Sequence, residues 1–130
     1  MYKILKIKSY NNVNGILRVI ENKDISNFVI KRIFNVKAGK NVVRGNHAHK
    51  ACKQIFQCLE GKISLYLNDG RREKTITLNH PNKLVLVDTK VWTRQKYLDK
   101  KNILIVYCNR LYNKNDYIFD IKNLVKNKNK

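Results

Sequence analysis

Two histidines separated by a single residue carry the clearest chemical signal in the sequence. His47 and His49 lie within residues 44–50, RGNHAHK, and they are two of only three histidines in the chain. Successive side chains of a β-strand point to opposite faces, so both imidazoles would project from one face with Ala48 behind them. Gly45 lets the backbone bend, or be approached closely, just before the pair. Such a pair could bind a metal ion or transfer protons, and two solvent-facing histidines on an edge strand are the alternative.

The elements that must position this pair are predicted to be β-strands. Apolar and polar residues alternate most cleanly at Ile63, Leu65 and Leu67, just before the hairpin signal Asp69-Gly70. The other predicted strands cover residues 4–8, 16–21, 28–36 with an interruption at 31–32, 54–59, 75–78, 84–87, 91–97 and 103–108. Apolar residues fall at helical spacing only from 115 to 125. We therefore expect one all-β domain over residues 1–130, a sandwich or barrel with a short C-terminal helix.

The charge of the chain limits the partners that we consider. The formal net charge is +19, which suits nucleic acid, an anionic membrane surface or a phosphorylated small substrate. However, Lys, Asn and Ile are abundant along the whole chain, and no nucleic-acid motif or aromatic interleaving accompanies the basic residues. We therefore do not expect nucleic acid as a partner. We do not expect a membrane either, because no segment approaches the length of a membrane span.

The three cysteines indicate a reducing compartment. Cys52, Cys58 and Cys108 form an odd set without a CxxC pair, so neither a disulfide framework nor a zinc knuckle is expected. We interpret them as core residues, with Cys52 the only one near the histidines. The N-terminal segment is too charged for a signal peptide, and a cytoplasmic location is therefore expected.

The window around the histidines resembles the first motif of the cupins, which are small jelly-roll β-barrels. In that motif two histidines on a strand are followed by an acidic residue and by a glycine that closes the hairpin. Here Gln54 occupies the acidic position, and Thr93 stands where metal-binding cupins have a third histidine. His80 is a poor substitute ligand because it lies beside Pro81 in a predicted loop. Two imidazoles and a neutral amide would leave a divalent metal under-ligated, so we expect no metal.

A narrower resemblance covers most of the chain, from residues 15–17 to 116–118. The run RGNHAHK, together with Lys31-Arg32, Gln54, Gly61, Trp92 and Asp116-Tyr117-Ile118, is similar to the WxcM-like branch of the cupins. This branch includes nucleotide-sugar 3,4-ketoisomerases that act on dTDP-4-keto-6-deoxyglucose. The resemblance implies a small β-barrel, a homodimer with exchanged N-terminal strands, no cofactor, and an isomerase of deoxysugar biosynthesis for a surface polysaccharide.

The chain departs from this branch at two positions. Relatives tend to have a tyrosine shortly after the Lys-Arg pair, where this chain has Phe34 and Asn35, and a histidine after the tryptophan, where it has Thr93. We expect Asn35, Asn46 or Tyr97 to take over the missing polar roles. The departures could also change the face of the sugar that is reprotonated.

The resemblance implies a division of labour between the histidines. His49 is expected to be the base that moves a proton between C3 and C4 through an enediol, and His47 its partner. An imidazole suits this role because its ordinary pKa lies close to the working pH. Arg44 is expected to bind the substrate diphosphate, and Arg94 could reach the same cleft. Gln54 could bind a sugar hydroxyl, and Trp92 could stack on the base or sugar.

Three other functions remain open from the sequence. A cupin-type nucleotide-sugar epimerase would abstract protons at C3 or C5 without moving the carbonyl. A non-catalytic dTDP-sugar-binding module would bind the same ligand without chemistry. A metal-dependent cupin oxygenase would need an ion at the histidines.

Overall fold

The computed structural model describes residues 1–124, and these form two packed antiparallel sheets with a separate hairpin. The twelve strands are Tyr2–Lys6 (β1), Lys8–Asn12 (β2), Gly15–Val19 (β3), Arg32–Ala38 (β4), Val43–His49 (β5), Gln54–Glu60 (β6), Ile63–Asn68 (β7), Glu73–Leu78 (β8), Lys83–Val87 (β9), Trp92–Tyr97 (β10), Asn102–Cys108 (β11) and Tyr117–Ile118 (β12). One sheet has the order β1-β9-β6-β11-β4, the other β12-β5-β10-β7-β8, and β2 pairs with β3 alone. This small cupin-like β-fold confirms the expected fold class.

The main core lies between the two sheets because each strand turns its apolar face inward. Along β7, Ile63, Leu65 and Leu67 have no exposed surface, whereas the residues between them are partly exposed. The β7–β8 hairpin includes the expected Asp69-Gly70, where Gly70 has a φ of +90°, but the connection spans residues 69–72 and is longer than the two-residue turn that this pair predicts. The period-two pattern of the sequence therefore specifies which face is buried.

A smaller apolar cluster supports the histidine strand from behind. Ala48 is completely buried and packs with Trp92, Ile118 and Leu124. These contacts place the chain after β11 against the outer face of β5, and β12 extends the sheet by pairing Ile118 with Ala48. The imidazoles on either side of Ala48 are thereby directed toward the interior.

The structure corrects three of the predicted elements. Residues 114–116 form a short 3₁₀ helix and Tyr117–Ile118 a strand, so α-helix is assigned only at 122–124 among the described residues of the expected helical segment. Residue 125 lies outside the described residues. Strand β2 was missed because its sequence, KSYNN, is polar. The segment 28–31 is not a strand; Phe28 instead packs under β1 with Leu5 and Ile25. In residues 1–124 no helix is long and apolar enough to cross a membrane.

Candidate active site

The histidines are presented by a β-bulge in strand β5. Thr93 of β10 pairs with His47, but the next residue, Arg94, pairs with Gly45, so Asn46 is the extra residue of the bulge. Gly45 and Asn46 both have positive φ angles, of +91° and +64°. A Cβ at Gly45 would lie 2.9 Å from the side-chain nitrogen of Gln95. Glycine is therefore required here both by the backbone conformation and by the close approach of β10.

The two imidazoles lie side by side, as the strand period predicts. Their ring centroids are 5.0 Å apart and the planes are nearly perpendicular. Each Nδ1 faces an oxygen that can only accept: His47 Nδ1 is 3.0 Å from the carbonyl of Gly45, and His49 Nδ1 is 2.8 Å from the carboxylate of Asp116. Each Nδ1–H therefore donates, and Nε2 is the basic nitrogen of both neutral rings.

Burial controls the charge of the pair. His49 is 5% exposed, and within the described part of the chain its buried Nε2 has no hydrogen-bond partner. Desolvation lowers the pKa of both imidazoles; the Asp116 carboxylate opposes this effect at His49, and the neighbouring His49 adds to it at His47. Both rings are therefore neutral, and able to accept a proton, at neutral pH.

Asp116 is held in place by the backbone that follows β5. The amide of Ala51 donates to its Oδ1 at 2.7 Å, and the amide of Lys50 donates to its main-chain carbonyl at 2.8 Å. The next residue, Tyr117, pairs with His49 in the sheet. This clamp leaves Oδ2 directed at the imidazole, so the orientation and tautomer of His49 are fixed by a carboxylate.

Two aromatic rings cover one side of the histidine pair. The Tyr117 ring centroid lies 4.7 Å from that of His47 and 4.6 Å from that of His49. The Phe119 ring stacks on Tyr117 at 5.8 Å and lies 6.2 Å from His47. These rings pack against one side of the imidazoles.

A cavity of about 180 Å³ opens beside His47. Four of the predicted site residues line it: Asn35, Arg44, His47 and Gln54. The other lining residues are Phe34, Val36, Gly45, Phe56, Gln95 and Val106. The structure thus brings these four residues from three different strands to one space. His49 does not line it, and its ring centroid lies 5.0 Å from that of His47.

Three predicted substrate-binding residues lie on other surfaces of β5 and β10. Asn46 is exposed at the bulge. Trp92 packs in the outer cluster and donates its Nε1–H to the carbonyl of Phe119 at 3.2 Å. The Arg94 guanidinium lies 4.8 Å from the ring centroid of Tyr66 on that same outer face. Alternation along β10 therefore directs Trp92 and Arg94 away from the cavity.

Two further residues lie apart from the cavity. Tyr97 is fully buried in the main core, and burial raises the pKa of its phenol to about 12. His80 is exposed in the loop before β9, where its Nδ1 accepts the amide of Asn82 at 3.1 Å.

The sequence reasoning gave no site role to Asp116, Tyr117, Arg32 or Cys108, which all lie close to the histidines. The Arg32 Nη2 is 3.4 Å from the Cys108 sulfur, and the side-chain nitrogen of Gln54 is 3.5 Å from the same atom. The interpretation of Cys52 as the only cysteine near the site was therefore wrong. Three of these residues do lie within the segments that carry the family resemblance, and that was the available signal.

One group of side chains in residues 1–124 has the composition of a metal site. The potential ligand atoms of His49, Cys52 and Asp116 lie within 4.8 Å of one another. Two of the three, His49 and Asp116, are already hydrogen-bonded to each other at 2.8 Å, and the thiol of Cys52 donates to the carbonyl of Lys53 at 3.3 Å. We therefore interpret this group as a hydrogen-bonded network.

The two sheets and the paired histidines beside an internal cavity define a small cupin. The family model described as "WxcM-like, C-terminal" (FdtA) matches residues 1–129. The chain therefore belongs to the WxcM-like, C-terminal family, which confirms the resemblance inferred from the sequence.

Individual relatives are similar over nearly the whole chain. TDP-4-oxo-6-deoxy-alpha-D-glucose-3,4-oxoisomerase of Aneurinibacillus thermoaerophilus is 32% identical over 126 residues, which are 95% of this chain and 90% of the relative. The crystal structure of a 3,4-ketoisomerase from Helicobacter canadensis superposes with a TM-score of 0.91 at 34% identity, covering 99% of this chain and 98% of that one. QdtA, a sugar 3,4-ketoisomerase from Thermoanaerobacterium thermosaccharolyticum solved with TDP, gives a TM-score of 0.89 at 28% identity, with coverage of 96% and 92%.

Proposed function

We propose that this protein is an isomerase that converts a dTDP-4-keto-6-deoxyhexose into the 3-keto isomer. The similarity to named 3,4-ketoisomerases along the whole chain supports the reaction class. The observation that carries the proposal is the arrangement of the two imidazoles, each of which has Nδ1 fixed by an acceptor and Nε2 as its basic nitrogen.

Moving the carbonyl requires two proton transfers. One proton leaves C3 and one is added to C4, while the O3 hydroxyl loses its proton and the O4 carbonyl oxygen gains one. The intermediate is an enediol, or an enediolate if the oxygen is not yet protonated. Two neutral imidazoles can divide this work, one moving the carbon-bound proton and the other the proton between the oxygens.

We assign the carbon-bound proton to His49 and the oxygen-bound proton to His47. A C–H group is the weaker acid, so its base benefits most from a carboxylate that stabilises the imidazolium, and Asp116 supplies this charge at 2.8 Å. His47 lines the cavity and is placed to meet polar groups of the sugar. If replacing His47, and not His49, abolishes exchange of the C3 proton, the two roles are reversed.

The cavity fits the sugar and leaves the nucleotide outside. At about 180 Å³ it is smaller than sites for drug-sized ligands, which are roughly 300–1,000 Å³. Asn35 and Gln54 line it and can bind sugar hydroxyls, whereas Arg44 is exposed at its edge and can pair with the diphosphate. Trp92, Arg94, Asn46 and Tyr97 do not line this space, and we propose indirect roles for them. His49 is not a lining residue either, so its assignment requires its unpartnered Nε2 to reach the sugar beside His47.

We further propose a homodimer with exchanged N-terminal strands, located in the cytoplasm. The β2–β3 hairpin forms a sheet of its own, and a lone hairpin is only marginally stable in water. It also exposes Tyr10, Ile16 and Leu17 by 57%, 56% and 61%, which a second copy would cover. None of the three cysteines forms a disulfide, as a reducing compartment favours.

The test is to incubate the protein with dTDP-4-keto-6-deoxyglucose in heavy water and follow C3, C4 and C5 by NMR. An aminotransferase specific for the 3-keto sugar would trap the product. We expect the carbonyl to move from C4 to C3, with any deuterium incorporated at C3 or C4. Exchange at C5 without carbonyl movement would indicate an epimerase, and binding without any exchange would indicate a binding module.

A further inference from the structure

The sulfur of Cys108 is surrounded by hydrogen-bond donors. Cys108 lies at the end of β11 without exposed surface, paired with Arg32 on one side and with Gln54 on the other. The Arg32 Nη2 lies 3.4 Å from the sulfur, and the Gln54 amide nitrogen lies 3.5 Å from it. Both nitrogens can only donate, and Arg32 is always charged, so the sulfur accepts. This environment stabilises the thiolate over the thiol.

The neighbouring sulfur is that of Cys52, whose thiol donates to the carbonyl of Lys53 at 3.3 Å. The ionisation of Cys52 is linked to that of Cys108, so only one of the two sulfurs carries a negative charge, and the geometry decides which one. Arg32 touches Cys108, whereas the Cys52 sulfur lies within 4.8 Å of an Asp116 carboxylate oxygen, which repels negative charge there.

The titration direction of each sulfur agrees with this geometry. The contacts with Cys52, Gln54 and Arg32 lower the pKa of Cys108, and burial opposes them only in part. The same contact with Cys108, together with burial, raises the pKa of Cys52. At neutral pH the charge is therefore held on Cys108 and the proton on Cys52.

This charge acts on His49. Cys108 raises the pKa of the imidazole after burial has lowered it, in the same direction as Asp116, whereas Arg32 acts in the opposite direction and more weakly. Other ionisable groups also lie around the cluster: Tyr112, whose ring centroid is 5.7 Å from the Arg32 guanidinium, Tyr117, whose ring centroid is 4.6 Å from that of His49, and His47, whose ring contacts His49. Asp116 and Cys108 thus supply two negative charges to a buried base that must become cationic during the reaction.

We propose that Cys108 is a resident thiolate and a positioning residue whose negative charge stabilises the protonated form of His49 while that ring carries the substrate proton. Only the catalytic consequence of this inference rests on the proposed isomerase function. The thiolate and its effect on His49 exist without substrate. Gln54, in turn, orients the thiolate and also lines the cavity, which couples the sugar site to the buried charge.

The first test needs no substrate, and its decisive measurement is made on the wild-type protein. We expect the ultraviolet absorbance of the wild-type protein to show one thiolate at pH 7, and this absorbance should disappear on acidification. A Cys108→Ser variant should lack this absorbance, because a serine hydroxyl does not ionise. Cys58→Ser is the matched control: Cys58 is also buried, but burial raises the pKa of its thiol to about 11, so the signal should persist. A wild-type protein without thiolate absorbance at pH 7 would overturn the inference whether or not the variants fold.

The second test separates the electrostatic role from a structural one. We expect the NMR titration midpoint of His49 to fall by about one pH unit in Cys108→Ser, a factor of about ten in proton affinity. The kcat of Cys108→Ser should fall with little change in KM. The Cys52→Ser variant keeps a hydrogen-bond donor at position 52 and should retain the Cys108 thiolate. An unchanged His49 midpoint in a folded Cys108→Ser protein would contradict the proposed role. If Cys108→Ser lowers the His49 midpoint but the wild-type protein has no isomerase activity, only the proposed function is disproved.

Discussion

His49 Nδ1 lies 2.8 Å from Asp116 Oδ2, although the two residues are 67 positions apart in the chain. The contact forms because β12 adds to the edge of β5 and pairs Tyr117 with His49. A carboxylate then stabilises the imidazolium and fixes Nε2 as the basic nitrogen. The pairing of an edge strand thus determines the chemistry of the histidine.

Replacing Asp116 with asparagine should lower kcat by about 10²-fold, at the lower end of what a positioned general base supplies. The amide keeps the size of the side chain but removes its charge. Steady-state kinetics should show a small change in KM, since Asp116 does not line the cavity. Asp120→Asn is the control, because Asp120 is exposed and caps only the amide of Lys122. An Asp116→Asn enzyme with wild-type kcat would remove the carboxylate from the mechanism.

The acidic limb of kcat/KM should lie below pH 6.5, the ordinary pKa of histidine. Burial lowers the pKa of His47 and His49, so the active neutral forms persist to lower pH. As the pH falls through 6.5, these two histidines bind protons in the unfolded chain before they do so in the folded chain. Their protonation should therefore reduce the free energy of unfolding below that pH. A pH–rate profile and urea titrations at several pH values measure both effects. An acidic limb above 6.5 would contradict burial as the dominant influence.

Gly45→Ala should destabilise the fold by about 1–3 kcal/mol and reduce activity. The φ of +91° is unfavourable for alanine, and its Cβ would lie 3.0 Å from the carbonyl of Thr93. The His47 Nδ1 would also lose its well-placed acceptor, the Gly45 carbonyl. Gly39→Ala is the matched control, since its added Cβ would meet only one atom, at 3.7 Å. Urea unfolding checks the stability, and equal effects of the two substitutions would refute the special role of Gly45.

A charged side chain at Leu17 should weaken the proposed dimer. Leu17→Lys places an ammonium on the apolar face of the β2–β3 hairpin, where desolvation on association would be costly. Light scattering should show a dimer for the wild-type protein and for the control Thr75→Lys, which alters an exposed residue of β8. A wild-type protein that is monomeric at micromolar concentration would contradict the exchange of N-terminal strands.

Chelation of divalent metals should leave the activity unchanged. The Gln54 side-chain nitrogen is directed at the sulfur of Cys108, and a neutral amide adds no charge to the two imidazoles. Turnover before and after dialysis against EDTA, with elemental analysis of the protein, measures this. Loss of activity that zinc or another divalent ion restores would show that the hydrogen-bonded network around His49 holds a metal.

The local sequence predicted those features of the site that depend on strand period. The common face of His47 and His49, the buried Ala48 and the Asp69-Gly70 hairpin all follow from alternation and turn chemistry within a few residues. The positions of Trp92 and Arg94 were not evident, because the sequence does not say which face of β10 is turned to the cavity. The approach of Asp116 and Cys108 depends on strand pairing between distant segments, which no local pattern specifies.

The most direct test of the central claim compares His49→Asn with His80→Asn in the heavy-water isomerisation. His80 is exposed and remote from the lining of the cavity, so its variant controls for the loss of an imidazole. We expect the wild-type protein and His80→Asn to move the carbonyl from C4 to C3. His49→Asn should still fold and bind the sugar nucleotide but leave the carbonyl at C4 with C3 unexchanged. Full turnover by His49→Asn, or a wild-type protein that never moves the carbonyl, would contradict the mechanism.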